Sequence, residues 1–179
     1  LIKVSVDLLS HRSYLRAYFE KFSRCIILYL KALIQHFLDG INNVIGKINM
    51  IDLFAGTGAF TLAFQEIKDV NIVFGNDMVE HSKKIYDENF THKLTLKNLH
   101  EVNVEDIPSH DILTGGFPCQ PFSIAGLQEG FNDERSNVFW KILSIIDYHK
   151  PSCVVLENVQ NLVSHDENKT FNTIKSNLE

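Results

Sequence analysis

Several common ways of stabilising or using a chain are missing from this sequence. Cysteine is scarce. Cys25, Cys119 and Cys153 are the whole complement, and no pair has CxxC spacing, which excludes a disulfide scaffold and a cysteine zinc site and leaves a reducing, intracellular setting as the expectation. The eight histidines show no ligand spacing either, so no metal is expected. The longest apolar run, Cys25 to Leu30, is far short of the roughly 20 residues that cross a bilayer. The N-terminus lacks the basic segment, apolar run and small cleavage residues of a secretory signal. An excess of basic charge is also absent. Seventeen Lys and Arg face 22 Asp and Glu, a formal net charge of −5, whereas nucleic-acid binders usually carry a basic patch. Either nucleic acid is not the partner, or the main binding surface lies outside this chain.

What remains is the composition of a soluble globular domain: 179 residues, 45% hydrophobic and 22% charged. The sequence opens on Leu1 rather than Met, so a trimmed or partial chain is expected. Residues 11–39 contain neither Gly nor Pro. Leu15, Tyr18, Phe19, Phe22, Ile26, Tyr29, Leu33 and Phe37 recur there at helical spacing, which predicts a long amphipathic helix ended near Asp39-Gly40. Its polar face is too weakly basic to favour a membrane surface, so it is expected to pack on the core or on a partner.

From Ile48 the pattern changes. Strands are predicted at 48–54, 71–75, 94–99, 111–115 and 152–157, and helices at 59–67, 79–90, 137–149 and 170–178, with a Gly- and Pro-containing loop over 116–135. Such alternation gives an α/β fold with a doubly wound, mostly parallel sheet. The expected organisation is an N-terminal helical extension, 1–47, followed by a Rossmann-like domain, 48–179.

Three features along that domain carry chemistry. Asp52-Leu53-Phe54-Ala55-Gly56-Thr57-Gly58 closes the first strand and opens a helix. Its glycines allow a tight turn and close approach of a ligand, but Thr61 stands where a dinucleotide fingerprint has its third glycine. Such a loop is often only a turn. Asp77, nineteen residues beyond Gly58 at the next strand end, can accept from ribose hydroxyls, and the pair suits a nucleoside-bearing cofactor such as S-adenosylmethionine. Next, Gly116-Phe117-Pro118-Cys119-Gln120-Pro121-Phe122-Ser123 places a thiol between two prolines directly after a strand. A free cysteine is most often a small buried apolar residue, but here the backbone is stiffened and polar sequence follows, which points to a thiol facing a cleft. Cys153, inside an apolar strand, and Cys25 read as structural. Finally, Glu157-Asn158-Val159 ends the last strand. A carboxylic acid buried at that edge can be held protonated and serve as a general acid.

In order and spacing these motifs resemble the cytosine-C5 DNA methyltransferase family over about residues 48–179, and residues 1–47 show no match. The resemblance implies S-adenosylmethionine as cofactor, with Phe54, Gly56, Thr57, Gly58, Asp77, Met78, Asn98, Leu99, Pro118 and Val138 around it. Asn98 is a departure, because the family usually has an acidic residue there. The resemblance further implies Cys119 as the nucleophile that adds to C6 of a flipped cytosine, and Glu157 as the acid at N3. Gln120, Ser123, Asn158 and Val159 would touch the substrate. Double-stranded DNA is the implied partner, and a cytoplasmic or nucleoid-associated location follows.

Family members continue with an arginine-bearing motif, further strands and a DNA-reading domain. The expectation is therefore a fragment, or one half of a split enzyme completed by a complementary polypeptide, with its last strand left as an open hydrophobic edge. Two other readings stay open: a non-catalytic cofactor-binding or interaction module, and a tRNA cytosine-5 methyltransferase of the same family.

Overall fold

The computed structural model describes residues 2–8, 47–118, 138–159, 162 and 168–178. Strand β1 spans Ile2–Leu8. It is followed in the described chain by β2 (Ile48–Leu53), helix α1 (Ala59–Gln65), β3 (Val70–Asp77), α2 (Glu80–Asn89) and β4 (Thr95–Leu96). Short 3-10 turns at Leu99–Glu101 and Val104–Asp106 precede β5 (Ile112–Gly116), α3 (Val138–His149), β6 (Cys153–Val159) and α4 (Lys169–Leu178). The six strands form one sheet in the order β1-β6-β5-β2-β3-β4, and every pairing is parallel.

The doubly wound expectation is met, and the residue pattern explains it. In β2, Met50 and Ile51 face opposite ways. Ile48, Met50, Ile112 and Val155 pack with Ala63, Phe64 and Ile67, the last two turns of α1 and the residues after it. Ile51, Leu53, Leu113 and Val154 pack on the other face with Phe139, Ile142 and Ile145 of α3, and with Leu162 and Ile174. Strands buried on both faces read as near-continuous apolar runs, as these do. Cys153 lies in the first of these layers, and burial pushes its thiol up, as befits a structural cysteine.

Three expectations change. The strand predicted over 94–99 is only Thr95–Leu96. Lys97 N–H still donates to the Asp77 carbonyl, but Asn98 then turns the chain by accepting from His100 N–H and opening the 3-10 turn, with the Leu99 side chain in the core. The helical extension assigned to 1–47 begins with a strand: Ile2–Leu8 runs parallel to β6, with Ile2 opposite Cys153 and Leu8 opposite Val159. Its sequence, Ile-Lys-Val-Ser-Val-Asp-Leu, alternates apolar and polar residues, the pattern of a half-buried strand. As a result β6 is not an open edge, because β1 pairs with it along its length. The helix predicted over 11–39 lies outside the described residues. No helix among the described residues is long and apolar enough to cross a membrane.

Candidate active site

Because all strands run the same way, their carboxyl ends share one edge of the sheet. Leu53 lies between Asn76 on β3 and Gly115 on β5, and Gly116 lies opposite Glu157 on β6. The register therefore brings the glycine turn, Asp77, the Gly116-Phe117-Pro118 segment and Glu157 to one rim. Open α/β sheets bind ligands at this rim, where the strand order reverses.

The turn after β2 is held from several sides. Phe54 and Gly56 have positive φ, at 54° and 56°, and Gly58 reaches 92°. Ala55 N–H donates to the Asn76 carbonyl at 3.0 Å, and Gly58 N–H to the Ala55 carbonyl at 2.8 Å. Gly56 N–H donates to Asp77 Oδ2 at 2.8 Å, while Asp77 Oδ1 accepts from Val79 N–H at 2.8 Å. Asp77 thus fixes both the glycine turn and the entry to α2, and each carboxylate oxygen retains a lone pair for a ligand hydroxyl. Gly58 has no room for a side chain, since a Cβ there would stand 2.2 Å from the Phe90 ring. Gly56 is the opposite case, since a Cβ would meet nothing within 4 Å. The turn is therefore open where a ligand would lie, with Thr57 and Met78 exposed beside it, and these residues fit a nucleoside-bearing cofactor.

On the β5–β6 side, Glu157 is half-buried, and burial raises its carboxyl above the usual carboxylate range. Gly116 makes room for it: a Cβ at Gly116 would lie 3.2 Å from Glu157 Oε2. Phe117 is buried against Phe139, with ring centroids 6.0 Å apart, and Asn158 Nδ2 donates to its carbonyl at 2.7 Å. Asn158 thereby ties β6 to the backbone two residues before Cys119. Pro118 is exposed. Asn98 is partly buried, its Oδ1 held by His100 N–H, and Val138 opens α3 partly packed on the core. Leu99 is buried in the core. Val159 ends β6. Cys119, Gln120 and Ser123 lie outside the described residues.

One polar group beneath the rim was not singled out from the sequence. Asp52, in β2, is fully buried, and its carboxyl is raised to about 6 by burial, partly offset by bonds from Thr114 and Thr61. Oδ2 accepts from Thr61 N–H at 3.1 Å and Thr61 Oγ1 at 2.8 Å, and Oδ1 accepts from Thr114 Oγ1 at 2.8 Å. Thr61 Oγ1 is in turn 2.9 Å from Tyr86 Oη. The available signal was the one charged residue inside a mostly apolar strand. Among the described residues no group of three or more His, Cys, Asp or Glu is arranged to hold a metal ion.

Comparison with known proteins agrees with this geometry. Residues 48–179 match the family model for C-5 cytosine-specific DNA methylases. The type II methyltransferase M.SsoII of Shigella sonnei is 44% identical over 138 residues, which are 77% of this chain and 36% of that protein. M.HhaI of Haemophilus parahaemolyticus is 40% identical over 131 residues, 73% of this chain and 39% of its own length. This chain thus spans about two fifths of the curated relatives it matches. The fold is shared with the Dnmt2 methyltransferase of S. pombe, at a TM-score of 0.58 and 21% identity over 73% of this chain and 42% of that one. It is shared too with the methyltransferase EhMeth of Entamoeba histolytica, at a TM-score of 0.56 and 24% identity over 75% of this chain and 44% of that one. With its motifs on one sheet edge and a family match over the whole strand–helix domain, the chain belongs to the C-5 cytosine-specific DNA methylases.

Proposed function

We propose that the chain carries the cofactor site and the reacting residues of a DNA cytosine-C5 methyltransferase. The observation that supports this most is the register opposing Gly116 to Glu157, with the Gly56–Asp77 pair on the same rim. S-adenosylmethionine, when bound, supplies an electrophilic methyl group on a sulfonium. Gly56, Thr57, Gly58 and Asp77 would hold its nucleoside, with Met78, Asn98 and Pro118 at the margin.

The chain's own residues would activate the acceptor. A cytosine ring is a poor carbon nucleophile, and its C5 sits inside the duplex, so the base must first be flipped out. Cys119, as a thiolate, adds to C6 and forms an S–C6 bond, moving electron density to C5. Glu157, whose carboxyl burial raises above its usual range, would in its protonated form donate to N3 and take up the charge that develops on the ring. After C5 is methylated, a base removes the C5 proton and the S–C6 bond breaks, returning the Cys119 thiolate. Asn158 and Val159 continue β6 beside the acid, and Gln120 and Ser123 follow the thiol in sequence; all four are assigned to the substrate side.

DNA containing 5-fluorocytosine tests this, since fluorine at C5 cannot leave as a proton does. Incubated with S-adenosylmethionine, alone and with any co-encoded complementary polypeptide, the chain should form a covalent protein–DNA adduct that is lost in Cys119→Ser. Cofactor binding without adduct under both conditions would sink the catalytic reading in favour of a cofactor-binding module. The same adduct on tRNA, and not on DNA, would reassign the substrate.

A further inference from the structure

We infer that Asp52, with Thr61, Thr114 and Tyr86, positions the glycine turn from beneath, so that cofactor affinity follows the protonation of a carboxyl that does not touch the cofactor. The inference rests on the cofactor reading above and adds to it a positioning residue and a pH response. Asp52, Thr61, Thr114 and Tyr86 are all essentially sealed from solvent. They lie on four elements, β2, α1, β5 and α2, whose meeting point is the underside of the turn. Tyr86 touches both the helix that follows the turn and the turn itself. Its hydroxyl meets Thr61, and its ring, with that of Phe90, fills the space where a Gly58 side chain would stand.

The proton positions follow from counting. Thr61 has one hydroxyl proton and gives it to Asp52 Oδ2, so the Tyr86 hydroxyl donates to Thr61. With Asp52 ionised, Thr114 donates to Oδ1. Protonation at Oδ1 reverses that bond: Asp52 donates to Thr114, and Thr114 Oγ1 turns to the Ile51 carbonyl, 3.2 Å away. Both states are satisfied, so the carboxyl can titrate without leaving a buried group unpaired. They differ in what holds α1. Ionised Oδ2 accepts two charge-assisted bonds from Thr61, and a protonated acid offers only a neutral acceptor, roughly half as strong. Asp77 at the end of β3 and Tyr86 from α2 are the ionisable groups that bear on Asp52, while α1 and β5 face it with Thr61 and Thr114.

S-adenosylhomocysteine, whose own groups titrate outside pH 5–8, is the probe, with binding to the full chain followed by calorimetry. Wild-type affinity should fall about fivefold between pH 7.5 and pH 5, the difference between a charge-assisted and a neutral hydrogen bond. Asp52→Asn can keep every bond, its amide nitrogen donating to Thr114. It should bind at the weak, low-pH level throughout, while melting at the same or a higher temperature than wild type at pH 7.5. Tyr86→Phe, which removes the donor to Thr61, should move the binding midpoint to higher pH. A merely structural Asp52 predicts that stability and affinity fall together, and that result overturns the inference, as does an Asp52→Asn profile that parallels wild type. If wild type fails to bind S-adenosylhomocysteine at any pH, the cofactor reading itself falls, and the inference with it.

Discussion

At the scale of single residues, the β5–β6 rim depends on a missing side chain. Gly116 stands opposite Glu157 in the parallel register, and even a methyl group there would press on Oε2 at 3.2 Å. Gly116→Ala should therefore lower the rate of methyl transfer or adduct formation by about tenfold or more, the effect of misplacing a reacting group by a fraction of an ångström. The S-adenosylhomocysteine dissociation constant should hardly change, because the glycine turn is on other strands. Equal losses in rate and in cofactor affinity would show that the side chain acts more globally. Glu157 adds a pH expectation. Burial raises its folded-state value, so the protonated acid persists to higher pH than in a free carboxyl and is lost as pH rises through that raised value. The rate of adduct formation should fall on that alkaline side, and Glu157→Gln, which cannot ionise, should remove this limb at a lower overall rate. A limb that survives in Glu157→Gln belongs to another group.

At the scale of elements, the two glycines of the turn have separate jobs that substitution can resolve. Gly58→Ala forces a Cβ into the Phe90 ring at a φ of 92°, and should lower unfolding free energy by about 3 kcal/mol in denaturant melts. Gly56→Ala meets no neighbour and carries only left-handed strain, about 1 kcal/mol, so it should fold and instead weaken cofactor binding by occupying the open space. Identical effects of the two substitutions would contradict that division.

Most elements of this sheet were legible because their period was plain. Ile48–Leu53 and Cys153–Val159 carry apolar runs buried on both faces, and helices α1 to α4 fall within a residue or two of their amphipathic patterns. The strand predicted over 94–99 was misread because β-propensity cannot see the side-chain cap that Asn98 places on the 3-10 turn. Strand β1 was missed although Ile2–Leu8 alternates cleanly, since its partner is distant in sequence and nothing local marks the pairing. Among site residues, the glycine turn, Asp77 and Glu157 could be found from their places at strand ends. The Asp52 network could not, because its members Thr61, Tyr86 and Thr114 become neighbours only when four elements meet.

At the scale of the whole molecule, buried ionisable groups pull stability in opposite directions with pH. Asp52 titrates near 6 in the fold against 3.8 when exposed, so its ionised form disfavours folding above pH 6, and that penalty fades as pH falls toward 4. His92 and His110 are lowered by burial, which disfavours their charged forms, so they add nothing above the usual histidine range and cost the fold stability as pH falls through it. The wild-type profile mixes both trends, and the Asp52→Asn difference isolates one. The variant's gain should be largest at pH 8, up to about 3 kcal/mol, and should vanish near pH 4. A gain that is independent of pH would mean that the substitution acts through packing. The sheet edge offers a further check. Deleting residues 2–8 removes the strand paired along β6, and light scattering of the protein at working concentration should rise as that edge becomes available to other copies. Unchanged scattering and unchanged melting would show that the pairing contributes little.

That same pairing sets an order of events during synthesis. Strand β1 leaves the ribosome early, but the backbone it bonds to, Cys153–Val159, is made only after nearly all of the remaining described sheet. At ordinary elongation rates the wait is on the order of ten seconds, long compared with the collapse of small chains. For that interval β1 is an alternating strand without its β6 partner, and β6 is the last of the described strands to be made. The nascent protein stays exposed to mispairing with another chain until β6, with its candidate acid Glu157, has emerged to pair with β1.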